Sequence, residues 1–220
     1  MSKFFIFDID GTLIDSNEYH VLAWHRAFRT KGKDVEPKQI WPHIGKGADQ
    51  FLPNFLTKEE IASFGKELSE FQGEIFKREY LSMVRPFPKV RELFKSILNA
   101  DGKIALASSS KKDQVQEFEI IAQIQDLVEN SASADDAEKT KPAPDILEAA
   151  WQRLGKPSKG SVIVVGDTPS DATAAKKAGL PALGVLSGGF SAAELKNHGC
   201  FAVLQDPADI LANLTVLLNR

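Results

Sequence analysis

Asp8 and Asp10 stand one residue apart directly after the apolar tetrapeptide Phe4-Phe5-Ile6-Phe7, and Gly11-Thr12-Leu13-Ile14-Asp15 follows. A buried-type strand that runs into two carboxylates is poor structural economy, so the pair points to chemistry. In a parallel α/β sheet the reactive groups gather at the carboxyl edge, where both aspartates would lie. Asp8, as the last strand residue, can address a ligand, and Asp10, in the turn that Gly11 permits, can reach over it. One carboxylate could then attack while the other shuttles a proton.

Three more polar groups stand where apolar runs end or helices begin. Ser108-Ser109-Ser110 follows Ile104-Ala105-Leu106-Ala107; Lys141-Pro142-Ala143-Pro144-Asp145 precedes a helix; Gly166-Asp167-Thr168-Pro169-Ser170-Asp171 follows Val162-Ile163-Val164-Val165. Alone, a serine run reads as a turn or cap and a Gly-Asp as a turn. Together they bring carboxylates, a hydroxyl and a lysine to one edge of one sheet, a set that suits an oxyanion held on magnesium. Mg2+ takes oxygen ligands and keeps several waters, so Asp8, Asp167 and one backbone carbonyl suffice from the protein. Lys141 and the Ser108 hydroxyl would neutralise and orient phosphate oxygens, allowing an aspartate to attack phosphorus and form an aspartyl phosphate. Asp10 would protonate the leaving alcohol and then deprotonate the attacking water; crowding by carboxylates is expected to raise its pKa. Lys139 competes with Lys141 for the phosphate role, and the adjacent Pro142 favours Lys141. Asp135 to Lys139 reads as a solvated loop, and Gly188-Gly189 as a loop near the site.

The elements that must position these groups are readable from periodicity. Short apolar runs at 4–7, 104–107, 162–165, 182–186 and 201–204 alternate with helical stretches at 113–124, 145–154, 170–178 and 209–218. That alternation predicts a parallel sheet covered by helices on both faces. Gly179, just past a helix with Lys176 and Lys177 in its last turn, marks a stop. Residues 16–84 break the alternation and read as helix, with Val21, Leu22, Trp24, Ala27 and Phe28 at helical spacing in 17–30, and a longer helical run over 59–83. The return at Arg85-Pro86-Phe87-Pro88 stops helix. A helical insertion directly after Asp15 would hang over the end of the first strand as a lid.

At 220 residues and 43% hydrophobic, the chain has the size for one sizeable core with a smaller second unit. A net charge of −3 with mixed signs argues against a nucleic-acid partner. The single cysteine, Cys200, precludes an intramolecular disulfide and fits a reducing compartment. The four-residue apolar start is too short for a signal peptide or membrane span, so a cytoplasmic location without a membrane partner is expected.

The ordered set Asp-Ile-Asp-Gly-Thr, strand-end Ser, Lys-Pro-x-Pro and Gly-Asp-x-x-x-Asp resembles the haloacid dehalogenase superfamily over essentially the whole chain, in particular its phosphatases with a helical cap after the first motif. The resemblance implies a doubly wound, Rossmann-like catalytic core over 1–15 and 85–220 and an all-helical cap over 16–84. It also implies that Asp8 is the nucleophile and a magnesium ligand, and that Asp10 is the acid/base and gives the metal its backbone carbonyl. Asp167 would be the third ligand, with Asp171 supporting the metal waters or Lys141. Ser108 and Lys141 would hold phosphate, and Gly11, Thr12, Ser109, His20 and Lys46 complete the phosphate- and substrate-binding set. His20, four residues before Trp24, either packs cap on core or orders the hinge and places Asp10. Gly45 and Gly47 either break a helix or form a specificity loop whose Lys46 meets an anionic leaving group.

Within the superfamily, dehalogenases lack an aspartate at the place of Asp10, and phosphonate-cleaving members carry a small residue there. The stretches 15–24 and 105–111 are similar to β-phosphoglucomutase, with Ser110 and Lys111 matching the pair that grips a second phosphate. Against a mutase stand the absence of arginine from 43–50 and a Gly-Asp where mutases show Glu-Asp. The reading is therefore a phosphatase of a small phosphorylated metabolite, the mutase remaining the alternative and a non-catalytic phosphate-binding module a remote one. Phosphoglycolate, sugar phosphates and nucleotide monophosphates all stay open as substrates.

Overall fold

The strands are β1 (Phe4–Phe7), β2 (Ile14–Asp15), β3 (Arg85–Pro86), β4 (Lys103–Ala107), β5 (Asn130–Ala132), β6 (Val162–Gly166), β7 (Ala182–Val185) and β8 (Cys200–Leu204) in the computed structural model, which describes residues 3–220. Six of them form one all-parallel sheet in the order β5-β4-β1-β6-β7-β8. The chain leaves β1, builds β4 and β5 on one side and then crosses to β6 on the other. A crevice therefore opens at the carboxyl end of β1, as strand order reverses there.

Register fixes what stands at that crevice. Phe7 lies opposite Leu106 on one side and Val165 on the other. One residue further, the Asp8 N–H still donates to Val165 O at 2.9 Å. Asp8, Ser108 and Asp167 thus leave three neighbouring strands at nearly the same height.

Alternating side chains give the sheet two apolar faces. Phe5, Phe7, Leu106 and Val165 pack with Phe94, Phe118 and Ile210 on one face, whereas Ile6, Ala105, Ala107 and Val164 meet Ile146, Ala150, Ala172 and Ala175 on the other. The alanine-rich second face allows its helices to approach closely. The helices there, Asp145–Arg153 and Pro169–Ala178, agree with expectation to within a residue.

Several elements differ from the sequence reading, among them a helix at Ala192–His198 between β7 and β8 that it lacks. β5 is the polar tripeptide Asn130-Ser131-Ala132, with no apolar run to announce it, and main-chain pairing to β4 carries it. A helix at Val90–Asn99 buries Val90, Leu93, Phe94 and Ile97 along one stripe that the reading passed over. The single helix expected over 209–218 is two, Pro207–Ala212 and Leu214–Leu218, because the Asn213 side-chain amide donates back to Asp209 O at 2.9 Å and interrupts the run.

Between β2 and β3 the chain contains helices and turns only. These two short strands pair antiparallel, Ile14 with Pro86 and Asp15 with Arg85, so the insertion leaves and re-enters the core at one point. Its first helix, α1 (Asn17–Thr30), buries Val21, Trp24, Ala27 and Phe28 as the spacing predicts. The second helical run extends from Lys58 to Met83 with two wide π-type turns, at Ile61–Gly65 and Phe76–Tyr80. Among the described residues, no helix is long and apolar enough to cross a membrane.

Cys200, at the start of β8, is buried, and burial, reinforced by the negative charge of Asp171, pushes its thiol up to about 12. Native protein should therefore react with Ellman's reagent at pH 8 on the order of a hundredfold more slowly than urea-unfolded protein, since the thiolate is the nucleophile. Equal rates in the two states would show an accessible, ordinary thiol.

Candidate active site

Asp8, at the tip of β1, is 6% exposed, and Lys141 behind it is 1% exposed. The Lys141 ammonium donates to Asp8 Oδ1 and, at 2.7 Å, to Asp171 Oδ1. Lys139 is exposed, its main-chain N–H donating to Asp145 Oδ2 at 3.0 Å, so geometry separates the two lysines that spacing left in competition. Asp171 is placed by a capping box at the start of the Pro169–Ala178 helix: Thr168 Oγ1 donates to Asp171 Oδ2 at 2.6 Å and accepts from the Asp171 N–H at 3.2 Å. Gly166 makes room for it, since a Cβ there would lie 2.4 Å from Asp171 Cβ.

Asp167 completes the group. Carboxylate oxygens of Asp8, Asp167 and Asp171 lie within 4.8 Å of one another, and all three residues are buried. Thr12 Oγ1 ties two of them, at 2.9 Å from Asp167 Oδ1 and 3.3 Å from Asp8 Oδ2. Gly11 takes a left-handed φ of 73° in this turn, and a Cβ on it would strike Asp167 Oδ2 at 2.3 Å. Gly11 and Thr12 thus help arrange the carboxylates.

Three carboxylates around one ammonium leave excess negative charge out of water. Burial raises Asp8 to about 7, with Lys141 pulling it down and Asp171 and Asp10 pushing it up. Burial, then Asp8 and Asp171, hold Asp167 well above the usual carboxylate range. Lys141, despite its burial, is held above its ordinary value by Asp171 and Asp8. A compact, all-oxygen, over-charged set of this kind fits a hard divalent cation such as Mg2+.

Asp10 stands apart from this group. Its Oδ1 accepts from Ser16 Oγ at 2.5 Å and meets His20 Nε2 at 3.0 Å, while Oδ2 has only a 3.3 Å contact from Ser110 Oγ. The expectation that neighbouring carboxylates raise its pKa is not met. Burial does push it up, but the His20 imidazole, by charge and by hydrogen bond, and the Ser16 hydroxyl leave it below the usual value. His20 is itself fixed from behind: its ring stacks on Phe76 with centroids 3.9 Å apart and planes 2° from parallel, and Phe76 opens the second wide turn of the insertion. Gln72 Nε2 lies 3.4 Å from His20 Nδ1.

A cavity of about 660 Å3 lies between insertion and core, with Asp8, Asp10 and His20 on its wall alongside Lys46, Ser109 and Lys111. Ser108, Lys141, Asp167 and Asp171 sit in the layer behind Asp8. Ser108 is held by its N–H to Ala132 O at 3.0 Å at the end of β5, and its Oγ accepts from the Ser110 N–H at 3.0 Å. The Gly45–Gly47 loop reaches the core: Ser109 Oγ donates to Gly45 O at 3.2 Å, and the Gly47 N–H donates to Thr140 Oγ1 at 3.0 Å. Asp49 also grips Thr140, accepting from its hydroxyl and, at 3.1 Å, from its N–H. A Cβ at Gly45 or Gly47 would lie 2.7 Å from Thr168 Cγ2 or 2.4 Å from Thr140 Cγ2, so glycine permits both contacts. Lys46 Nζ donates to His43 Nδ1 at 2.8 Å, and burial lowers its pKa.

The model of haloacid dehalogenase-like hydrolases matches residues 5–185, from β1 to the end of β7. The chain belongs to this family. SUPPRESSOR OF QUENCHING 1, a chloroplastic protein of Arabidopsis thaliana, is 29% identical over 212 residues, 94% of this chain; the chain spans 20% of that protein's length. A phosphoglycolate phosphatase of Neisseria meningitidis is 30% identical over 190 residues, covering 83% of this chain and 79% of that one. A solved hydrolase from Pseudomonas syringae superposes with a TM-score of 0.88 at 29% identity, over 98% of this chain and 99% of that one.

Residues outside the sequence reading complete the site of this family member. Ser16, Thr140 and Thr168 carry hydrogen bonds to Asp10, Asp49 and Asp171. Asn17 spans the core, donating through Nδ2 to Asp167 Oδ2 at 2.9 Å and to Gly188 O at 3.2 Å. Only Thr168 had a local signal, the Thr-Pro-Ser-Asp capping pattern; the others act across folds of the chain that spacing does not reveal.

Removing the shared cation should be costly. In Lys141→Met, which keeps the apolar stem, buried Asp8 and Asp171 lose their partner, and stability should fall by about 3–5 kcal/mol. Urea unfolding in the presence of EDTA measures this; a loss below about 1 kcal/mol would contradict the pairing.

Proposed function

We propose that this hydrolase is a magnesium-dependent phosphatase that cleaves a small organic phosphomonoester through a phosphoaspartate on Asp8. The observation that carries the reading is the double layer at the end of β1. Lys141, Asp167 and Asp171 lie buried behind Asp8, and Asp10 stands beside it on the cavity wall with one oxygen nearly free. Magnesium, held by Asp8, Asp167 and the backbone carbonyl of Asp10, would supply Lewis-acid charge that lets two anions meet.

The chain's own residues do the rest. Lys141 and the Ser108 region balance charge on the phosphoryl oxygens while Asp8 attacks phosphorus. Asp10 Oδ2, the less occupied oxygen, gives its proton to the departing alkoxide and later takes one from the water that attacks the phosphoaspartate. His20 positions Asp10 and favours its ionised form, ready for the second step. The negative charge of an arriving phosphate monoester favours the protonated form needed for the first.

In this reading residues 16–84 form a cap over a core of 1–15 and 85–220, and the Gly45–Gly47 loop carries Lys46 to the leaving group. The match to a protein named phosphoglycolate phosphatase supports a small phosphorylated metabolite as substrate. Water as acceptor, rather than a sugar phosphate, is supported at two positions. Ser110 Oγ is turned to Asp10, and Asp171 fills the space any side chain at 166 would need, including the glutamate that mutases show there. A cytoplasmic setting fits the mixed charge and the single buried cysteine.

Phosphate release from p-nitrophenyl phosphate and a panel of small phosphomonoesters, with and without Mg2+, tests the reading. Asp8→Asn should lose turnover by about 10⁴-fold or more while keeping its circular dichroism spectrum, and Asp10→Asn should lose about 10²–10⁴-fold on both chemical steps. Retained turnover in Asp8→Asn contradicts the nucleophile assignment, and a folded wild type that hydrolyses nothing points to a binding module instead.

A further inference from the structure

Both hydrogens of the Asn17 side-chain amide are used, and its oxygen is not. Nδ2 donates to Asp167 Oδ2 at 2.9 Å and to Gly188 O at 3.2 Å. Because both neighbours are acceptors, the amide orientation is fixed: a flipped amide would set its oxygen against a carboxylate and a carbonyl. Oδ1 is then a buried acceptor with no donor among the described residues, in a side chain that is 3% exposed. Buried polar atoms are nearly always satisfied, so an orphan beside a carboxylate cluster points to a missing donor.

The surroundings are built to keep this contact. A Cβ on Gly11 would lie 2.3 Å from both Asn17 Nδ2 and Asp167 Oδ2, and one on Gly188 would lie 1.7 Å from Asp167 Oδ2. Two glycines from separate loops thus clear the space in which Asn17 meets Asp167. Thr12 Oγ1 takes the other Asp167 oxygen at 2.9 Å, so the carboxylate plane is fixed from both sides by neutral donors that leave its charge intact. Every carboxylate the site would offer a cation lies in this same buried layer.

We propose that Asn17 is a positioning residue for the divalent cation: Nδ2 holds Asp167 in its ligating orientation, and Oδ1 accepts a hydrogen bond from a water that the cation carries. The inference rests on the magnesium reading above. Asn17 is also the first residue of α1, where the insertion begins. The cation and the seating of the insertion therefore share one side chain. A cation that satisfies Oδ1 stabilises the seated α1, and by reciprocity the seated helix raises cation affinity.

Calorimetric titration with MgCl2, and thermal unfolding with and without Mg2+, on the full-length wild type, Asn17→Ala, Asn17→Ser and Asn17→Asp test this without any turnover assay. Asn17→Ala and Asn17→Ser should weaken Mg2+ binding about tenfold or more and shrink the Mg2+-induced rise in Tm. Asn17→Asp should lower the Tm of the metal-free protein, by repulsion from Asp167, and enlarge the Mg2+-induced rise beyond wild type. If Asn17→Ala does not fold, Asn17→Ser carries the affinity measurement. Wild-type Mg2+ affinity in the folded variant, with only the metal-free Tm lowered, would make Asn17 purely structural and overturn the inference. A rise in Asn17→Asp no larger than wild type contradicts the placement of Oδ1. A wild type that binds no Mg2+ overturns the magnesium reading itself and this inference with it.

Discussion

One buried ammonium, Nζ of Lys141, holds carboxylates that arrive from two strand ends and a helix start. It touches Asp8 and Asp171 directly, and Asp167 closes the group. Such a set cannot be assembled piecemeal. Each carboxylate left without a partner in the interior costs several kcal/mol, and the lysine alone would be as costly. The glycines at 11, 166 and 188, the Thr168 capping box and the Thr12 hydroxyl all bring these charges to hydrogen-bonding distance. The remaining excess of negative charge, which with burial raises Asp8 and Asp167, is what suits the place to a cation.

The parallel sheet is what brings the parts together. Neighbouring strands in register end at one height, so residues about 100 and 160 positions apart share one edge. The insertion adds the second wall. Its entry and exit are clamped by the β2–β3 pair, and its loop at 45–49 bonds to Ser109 and Thr140, neighbours of Ser108 and Lys141 in the chain. This loop thus meets the core at residues next to Ser108 and Lys141 of the candidate site. His20 joins the walls differently, with one ring nitrogen on Asp10 and its face on Phe76.

Much of this was legible in the sequence, for a physical reason in each case. Val162-Ile163-Val164-Val165 and Phe5-Ile6-Phe7 are buried, so the run itself announces a central strand. Polar residues at the ends of such runs have few roles besides chemistry or turns, which singled out Asp8, Ser108 and Asp167. What stayed hidden depends on tertiary context. The polar β5 exists through pairing with β4, yet it fixes Ser108 through Ala132 O. The carboxylates next to Asp10 suggested a raised pKa, but His20 and Ser16, brought in by α1, reverse the sign. Asn17 looked like an ordinary helix start, because nothing local reveals that its amide reaches a carboxylate 150 residues away.

The central claim is that Asp8 forms a covalent bond to phosphorus while Lys141 and its buried partners balance the charge. Acid-quenched mass spectrometry of protein mixed with Mg2+ and p-nitrophenyl phosphate, whose leaving group needs no proton, in the Asp10→Asn background so that intermediate hydrolysis is the step slowed, observes that bond directly. The account predicts one phosphate mass on the peptide containing Asp8, lost on treatment with hydroxylamine and absent when Asp8 is replaced by Asn. Turnover with no labelled peptide, or with the label on another residue, would contradict it.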